Sequence, residues 1–223
     1  MKTRGWLVVF VLLLLGGACS LLACADLMGD DDDDDDDTSG DDDDDDDGGR
    51  IDDVPDDVND FLDQEDIDKL KNAGLEIYTG DNPPNIEGSY LANSQITVYD
   101  DAGQVGYQPA DYIYTFADQT DAGSISHSYD SPDAGDSGSG LGAFISGDGD
   151  CFSVFVRVEG STYECDYEMP EIFSGCLNDE GIADFAIGFI MTDKEGFGCD
   201  ALIEEGQARI IEEEDGLAEE IED

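Results

Sequence analysis

Phe152-Ser153-Val154-Phe155-Val156-Arg157-Val158-Glu159 decides the fold. Phe152, Val154, Val156 and Val158 fall on one side of an extended chain. Ser153, Phe155, Arg157 and Glu159 fall on the other, which is the period of two that a half-buried strand requires. The pattern recurs in both directions. Toward the C-terminus Glu159-Gly160 reads as a tight turn. Further strands are expected over about 161–175, with Pro170 the point where that strand could break, over 182–192, where Phe185, Ile187, Phe189 and Met191 face one way, and over 203–213, through Ala208, Ile210 and Ile211. Toward the N-terminus the expected strands cover 141–147, 123–130 (Ile125, His127, Tyr129), 110–118 (Tyr112, Tyr114 and Phe116 alternating with Ile113 and Thr115) and 89–100 (Leu91, Ile96, Val98). The Ser-, Asp- and Gly-rich stretch 131–140 reads as a mobile loop. Eight consecutive strands, mostly hairpin-joined, predict an all-β fold: an eight-stranded antiparallel up-and-down barrel, because closure removes the exposed edges of an open sheet. A two-sheet β-sandwich is the alternative.

Outward from the strands, Asn82-Pro83-Pro84-Asn85-Ile86-Glu87-Gly88-Ser89-Tyr90 marks the border of the barrel. Pro83 and Pro84 stop whatever precedes them, and Gly88 lets the chain enter the first strand. Before the border, Asp63 suits a helix N-cap and Gly74 a C-terminal stop. Glu65 and Lys69 stand four apart, and Ile67, Leu70 and Ala73 share a face, so a short helix is expected over about 64–73. Its narrow apolar stripe needs a surface, and one end of the barrel is the expected one. The organisation read from the chain is therefore a leader over 1–23, a tether over 24–54, a helical segment over 55–76, the barrel over 77–215 and an acidic, frayed tail over 216–223.

The leader carries Lys2 and Arg4, then an unbroken apolar run from Trp6 to Leu15 that suits a signal-peptide core and is too short to span a bilayer. Leu21-Leu22-Ala23-Cys24 resembles the bacterial lipobox, which implies lipidation at Cys24 and cleavage before it; Gly16-Gly17-Ala18-Cys19 makes Cys19 the alternative. Ala25 after Cys24 resembles the sorting signal for the outer membrane. The expected partner is thus the membrane, reached through a lipid anchor at the outer membrane. Asp30–Asp37 and Asp41–Asp47 are aspartate runs that repel themselves and stay extended, a spacer with at most weak, non-specific Ca2+ association. With 59 acids against 8 bases, a net charge of -51, there is no basic patch for nucleic acid or for anionic lipid.

Cys151, Cys165, Cys176 and Cys199 follow the leader, an even number in an exported domain. In a meander, the start of the fifth strand and the end of the sixth share one end, so Cys151 pairs with Cys176. Cys165 and Cys199 lie nearer the other end and pair with each other. No Cys-x-x-Cys knuckle favours a zinc site instead. His127 stands alone, and no nucleophile constellation, phosphate loop or dinucleotide fingerprint is present, so no catalytic residue, metal site or cofactor is expected. The acidic loops Asp130–Gly140 and Gly147–Asp150 lack EF-hand spacing.

Asn82–Tyr90 resembles the entry motif of uncharacterised bacterial lipoproteins in which an acidic tether precedes a β-barrel, as do Phe152–Val156, Gly181–Phe185 and Gly206–Ile210. A proline followed by Gly88-Ser89-Tyr90 is also similar to the Gly-x-Trp signature of lipocalins, with Tyr90 in place of the tryptophan; the chain's one Trp is Trp6. That resemblance implies that Arg209, in the last strand, packs on the Tyr90 ring where the barrel closes; the other reading pairs Arg209 with a surface acid. The function expected is that of an envelope lipoprotein whose lipocalin-like barrel binds a small, apolar ligand and is not an enzyme. Tyr112, Tyr114, Phe116, Phe152, Val154, Val156, Phe185, Ile187 and Phe189 are its candidate ligand or core lining. The alternative is a structural or adhesive envelope protein with a filled core and an acidic, cation-binding surface.

Overall fold

A computed structural model describes residues 58, 59 and 61–221; the leader, Cys24 with its alternative Cys19, and the aspartate tether lie outside the described residues. Helix α1 (Gln64–Ala73) forms where its capping signals put it. Asp63 Oδ1 accepts from Asp66 N at 2.9 Å, and Gly74 takes the left-handed conformation that ends the helix, returning its N–H to the carbonyls of Leu70 and Lys71.

The rest is strand: β1 (Asp81–Asn82), β2 (Gly88–Ala92), β3 (Gln95–Asp100), β4 (Tyr112–Ala117), β5 (Ser126–Ser131), β6 (Asp136–Asp148), β7 (Cys151–Thr162), β8 (Cys165–Asn178), β9 (Gly181–Ile190), β10 (Asp193–Gly196), β11 (Ala208–Glu213) and β12 (Leu217–Ile221). Strands β2, β4, β5, β6, β7, β8, β9 and β12 pair in that order, and β12 returns to β2, so the eight close an antiparallel barrel. Closure rules out the sandwich. β3 continues β2 and β11 precedes β12, so the first and last strands are each one long strand with a bend. Asp100 pairs with Arg209 at one end of this seam and Tyr90 with Glu220 at the other.

Two apolar layers result. Inward residues such as Tyr114, Phe116, Phe152, Val154, Phe173 and Phe185 fill the barrel. A second cluster lies outside, where Phe155, Ile172, Ile190, Ala208 and Ile210 meet Leu62, Ile67, Leu70 and Leu75. Helix α1 therefore lies on the outer wall and not across an end of the barrel, as its stripe alone suggested. The reason is local: Gly188 faces outward, and a Cβ there would come within 2.7 Å of Leu75 Cδ2 and 3.2 Å of Leu70 Cδ2. Glycine opens a seat for the helix, and Lys69 fastens it with a 2.8 Å ion pair to Asp101.

Four other expectations change. Strand β6 begins at Asp136, so the supposed mobile loop 131–140 shrinks to the turn 132–135. Gly160 lies within β7 and not in a turn, which falls at Tyr163-Glu164. Strand β8 is unbroken at Pro170, which stands where the strand passes from partner β10 (up to Glu168) to partner β9 (from Glu171), a place that spares a ladder bond. The barrel does not stop at 215: β12 pairs with both β2 and β9, inside the stretch expected as a frayed tail. Ala218 needs only its own small side chain buried, while Glu219 and Glu220 stand in solvent, so acidity does not oppose the pairing. The interruption at Glu214-Asp215-Gly216 is a bulge in which Asp184 N donates to Gly216 O at 2.7 Å.

Candidate ligand cavity

The two ends of the barrel differ. At one end the chain that enters β2 folds across the opening. Ile86 is fully buried. Its N–H donates to Gln119 Oε1 at 3.0 Å, Gln119 Nε2 donates to Pro84 O at 2.8 Å, and Tyr90 Oη donates to Ile86 O at 3.1 Å. Gly88 passes beside the Tyr90 hydroxyl, 3.3 Å from where its Cβ would stand. Pro83, Pro84, Gly88 and Tyr90 thus build a closed floor. Above it Phe116, Phe152, Val154, Val156 and Phe185 are solid core. His127 is packed among Phe116, Phe173 and Tyr114, and burial pulls it down to about 3, so its ring is neutral.

At the opposite end a cavity of about 800 Å³ opens between the β3–β4 loop, the β5–β6 and β7–β8 turns and the segment after β10. Tyr112, Tyr114, Ile187 and Phe189, four of the nine residues expected as lining, reach it. The Cys165–Cys199 disulfide ties the start of β8 to the 3-10 turn Cys199–Ala201, part of the segment that borders the cavity; Cys151–Cys176 clamps β7 to β8 at the closed end. Val105, Tyr107 and Tyr163 are exposed at the mouth, and Phe197, 95% exposed, precedes the lining Gly198.

The cavity wall owes its shape to one lateral row. Tyr114 pairs with Tyr129, Tyr129 with Gly138, Gly138 with Gly160, and Gly160 with Tyr167. The two glycines face inward. A Cβ at Gly138 would stand 2.6 Å from the Tyr129 ring, and one at Gly160 would stand 2.4 Å from the Tyr167 ring. Their emptiness lets the two tyrosines lean over neighbouring strands until their hydroxyls meet. Tyr167 Oη then donates to Asp136 Oδ1 and Tyr112 Oη to Asp136 Oδ2, each at 2.7 Å, so Tyr129 is the donor to Tyr167. Burial and the neighbouring carboxylates push all three phenols well above their ordinary range, which keeps them protonated as donors.

Glu171 is the other acid of the wall. It follows Met169 and precedes Phe173 in the inward row of β8 and is only 4% exposed. Burial and the charge of Asp136 push its carboxyl up to about 8, and its Oε2 has no hydrogen-bond partner. Gln95 lines the same cavity; its Nε2 donates to Tyr114 Oη at 3.4 Å and its Oε1 has no partner. Burial also raises Asp136, against the pull of its two tyrosine donors.

Arg209 does not reach Tyr90. It sits at the mouth, where Nε donates to Asp100 Oδ2 at 2.5 Å and Nη2 to Gln104 Oε1 at 3.0 Å, with the guanidinium 6.0 Å from the centre of the Tyr107 ring. The seam register explains this: the last strand runs on to Ile221, so Glu220 and not Arg209 stands opposite Tyr90. Sequence reasoning missed Gln95, Asp136, Tyr167 and Glu171 as site residues. Glu171 carried a signal, since an acid between Met169 and Phe173 interrupts an apolar row of period two. Among the described residues no cluster of three or more His, Cys, Asp or Glu could hold a metal ion, and no helix is long and apolar enough to cross a membrane. Compared with protein-family models, curated proteins and solved structures, the chain matches none.

Proposed function

We propose that this chain is a lipid-anchored envelope protein whose barrel captures a small organic ligand without turning it over. The observation that carries the reading is the cavity: about 800 Å³, open at one end only, with apolar walls and a few convergent polar groups. A purely structural barrel of eight strands can fill its interior with side chains, and here only the floor half is filled. The closed meander entered through Gly88-Ser89-Tyr90 is in keeping with the lipocalin resemblance. The anchor rests on the apolar leader and Leu21-Leu22-Ala23-Cys24, and the outer membrane on Ala25.

The test is titration with 1,6-diphenylhexatriene, a neutral hydrocarbon whose fluorescence rises in an apolar site. Saturable uptake at one probe per chain, reduced by the cavity-filling variant Met169→Trp, is expected. A folded protein that takes up neither this probe nor an amphiphilic indole refutes the reading. For the anchor, mass spectrometry of protein from membranes should find a diacylglyceryl adduct that Cys24→Ala lacks; a wild-type chain without the adduct removes the anchor.

A further inference from the structure

We infer that the ligand is an organic ammonium ion, a protonated primary or secondary amine on an apolar body, held by Glu171 and Gln95 beneath the tyrosine row. This rests on the ligand-binding reading and adds the chemical class. Among the described residues the unpartnered buried atoms of the cavity wall are Glu171 Oε2 and Gln95 Oε1. The amide oxygen is an acceptor, and the carboxyl becomes one when a cation beside it draws off its proton; what that pair then lacks is a donor. A hydrocarbon would leave both atoms buried and unpaired, which is the costliest state for a polar group. A carboxylate or phosphate ligand would bring further acceptors and negative charge toward Asp136 and Glu171. An ammonium group supplies the N–H donors and the opposite charge together.

Among the described residues no side chain supplies that cation. Arg209 is the one base on the cavity wall, and Asp100 and Gln104 already engage it at the mouth. Lys69 is engaged by Asp101 on the outer wall and Lys194 by Glu204. Asp136 is not the docking group either, because each of its oxygens accepts a tyrosine hydrogen bond; it contributes charge and orients the phenols. The rings add a second attraction. Tyr112 and Tyr114 stack at 5.7 Å and 11°, with Tyr129 tilted against both at 5.9 and 6.1 Å, a cluster whose faces suit a cation. With 59 acids against 8 bases, the chain as a whole attracts cations and disfavours anions. Val105, Tyr107 and Tyr163 give the apolar body a greasy rim to cross.

The experiment is calorimetric titration of the full chain with tryptamine, with its neutral counterpart indole-3-ethanol and with indole-3-acetate, beside the diphenylhexatriene assay. Tryptamine should bind at least about tenfold more tightly than the alcohol, a difference of about 1.4 kcal/mol, and the acetate should not bind. Glu171→Gln, with its fold checked by circular dichroism, should bring amine and alcohol to within about threefold of one another, a gap of about 0.7 kcal/mol. If the hydrocarbon probe binds but the amine is no better than the alcohol, the ammonium inference is overturned and the ligand-binding reading stands. A folded Glu171→Gln that keeps the full preference also overturns it. If neither the probe nor any indole binds, both readings fall.

Discussion

Replacing Glu171 by Gln should stabilise the empty protein, by an amount that grows with pH. The Glu171 carboxyl is fully enclosed, lacks a partner at Oε2, and is raised from an ordinary 4.5 to about 8 by burial and by Asp136. Around it stand Tyr112 and Tyr114 of β4, Tyr129 of β5, Asp136 of β6 and Tyr167 of β8, and the nearest base on the wall, Arg209, is committed to Asp100. In the unfolded chain the carboxyl ionises from about 4.5 upward, whereas in the folded protein it keeps its proton until about 8. Over that window the unfolded state binds fewer protons, so this group makes stability fall as pH rises, by about 1.4 kcal/mol per pH unit. Below the window the penalty is absent. Gln cannot ionise, so the difference in unfolding free energy between variant and wild type should grow by on the order of 4 kcal/mol from pH 5 to pH 8. Other acids, among them Glu213, raised to about 7 by burial, cancel in that difference. Urea unfolding of both proteins at half-unit pH steps, disulfides intact, measures it. A difference that stays flat with pH would refute the buried, proton-holding carboxyl and with it the idea that Glu171 awaits a cation.

Ligand binding should show the complementary sign: amine affinity rises from pH 6 to about 8, as Glu171 ionises more readily beside a cation, and levels off above, with proton release at pH 7 detectable by calorimetry in two buffers of different ionisation enthalpy. Gly160→Ala forces a Cβ to within 2.4 Å of the Tyr167 ring and 2.5 Å of Tyr129 Oη, and urea unfolding should find it about 1–3 kcal/mol less stable. Arg209→Ala leaves the Asp100 carboxylate, with no exposed side-chain surface, without its cation, and should cost about 3 kcal/mol by the same assay. Peptide mapping without reduction should recover Cys151–Cys176 and Cys165–Cys199, and the double Ser variant of either pair should lose about 3 kcal/mol.

The alternation of β7, β9 and β4, the capped helix over 64–73 and the disulfide pairing were legible in the sequence because each rests on local chemistry or on the order of strands in a meander. Period two does not depend on partners, and Asp63 and Gly74 act within one turn of the helix they bound. Stretches with little apolar content hide their strands. The residues 136–140 carry Gly138 and Gly140, whose inward role is to be absent, and Gly160 resembled a turn for the same reason. Glycine looks alike in a loop and under a leaning aromatic ring, and only the neighbouring strand tells the two apart.

The candidate site shows the same division. Tyr112 and Tyr114 announced themselves by alternation, as did Ile187 and Phe189. Asp136 is one acid among 59, with no spacing to set it apart, and Glu171 is marked only by interrupting an apolar row between Met169 and Phe173. What distinguishes them is register: β6 places Asp136 under the hydroxyls of Tyr112 and Tyr167, and the inward row of β8 carries Glu171 into the same cavity. Patterning, caps and strand order suffice for an eight-stranded antiparallel fold with its helix and crosslinks, and all three lie in the order of residues along the chain. The tertiary structure alone decided which end is closed, that Arg209 meets Asp100 and not Tyr90, and that two carboxyls share one aromatic cavity. Contacts between strands far apart in the chain depend on register and on the space that inward glycines leave, and neither is written in the local sequence.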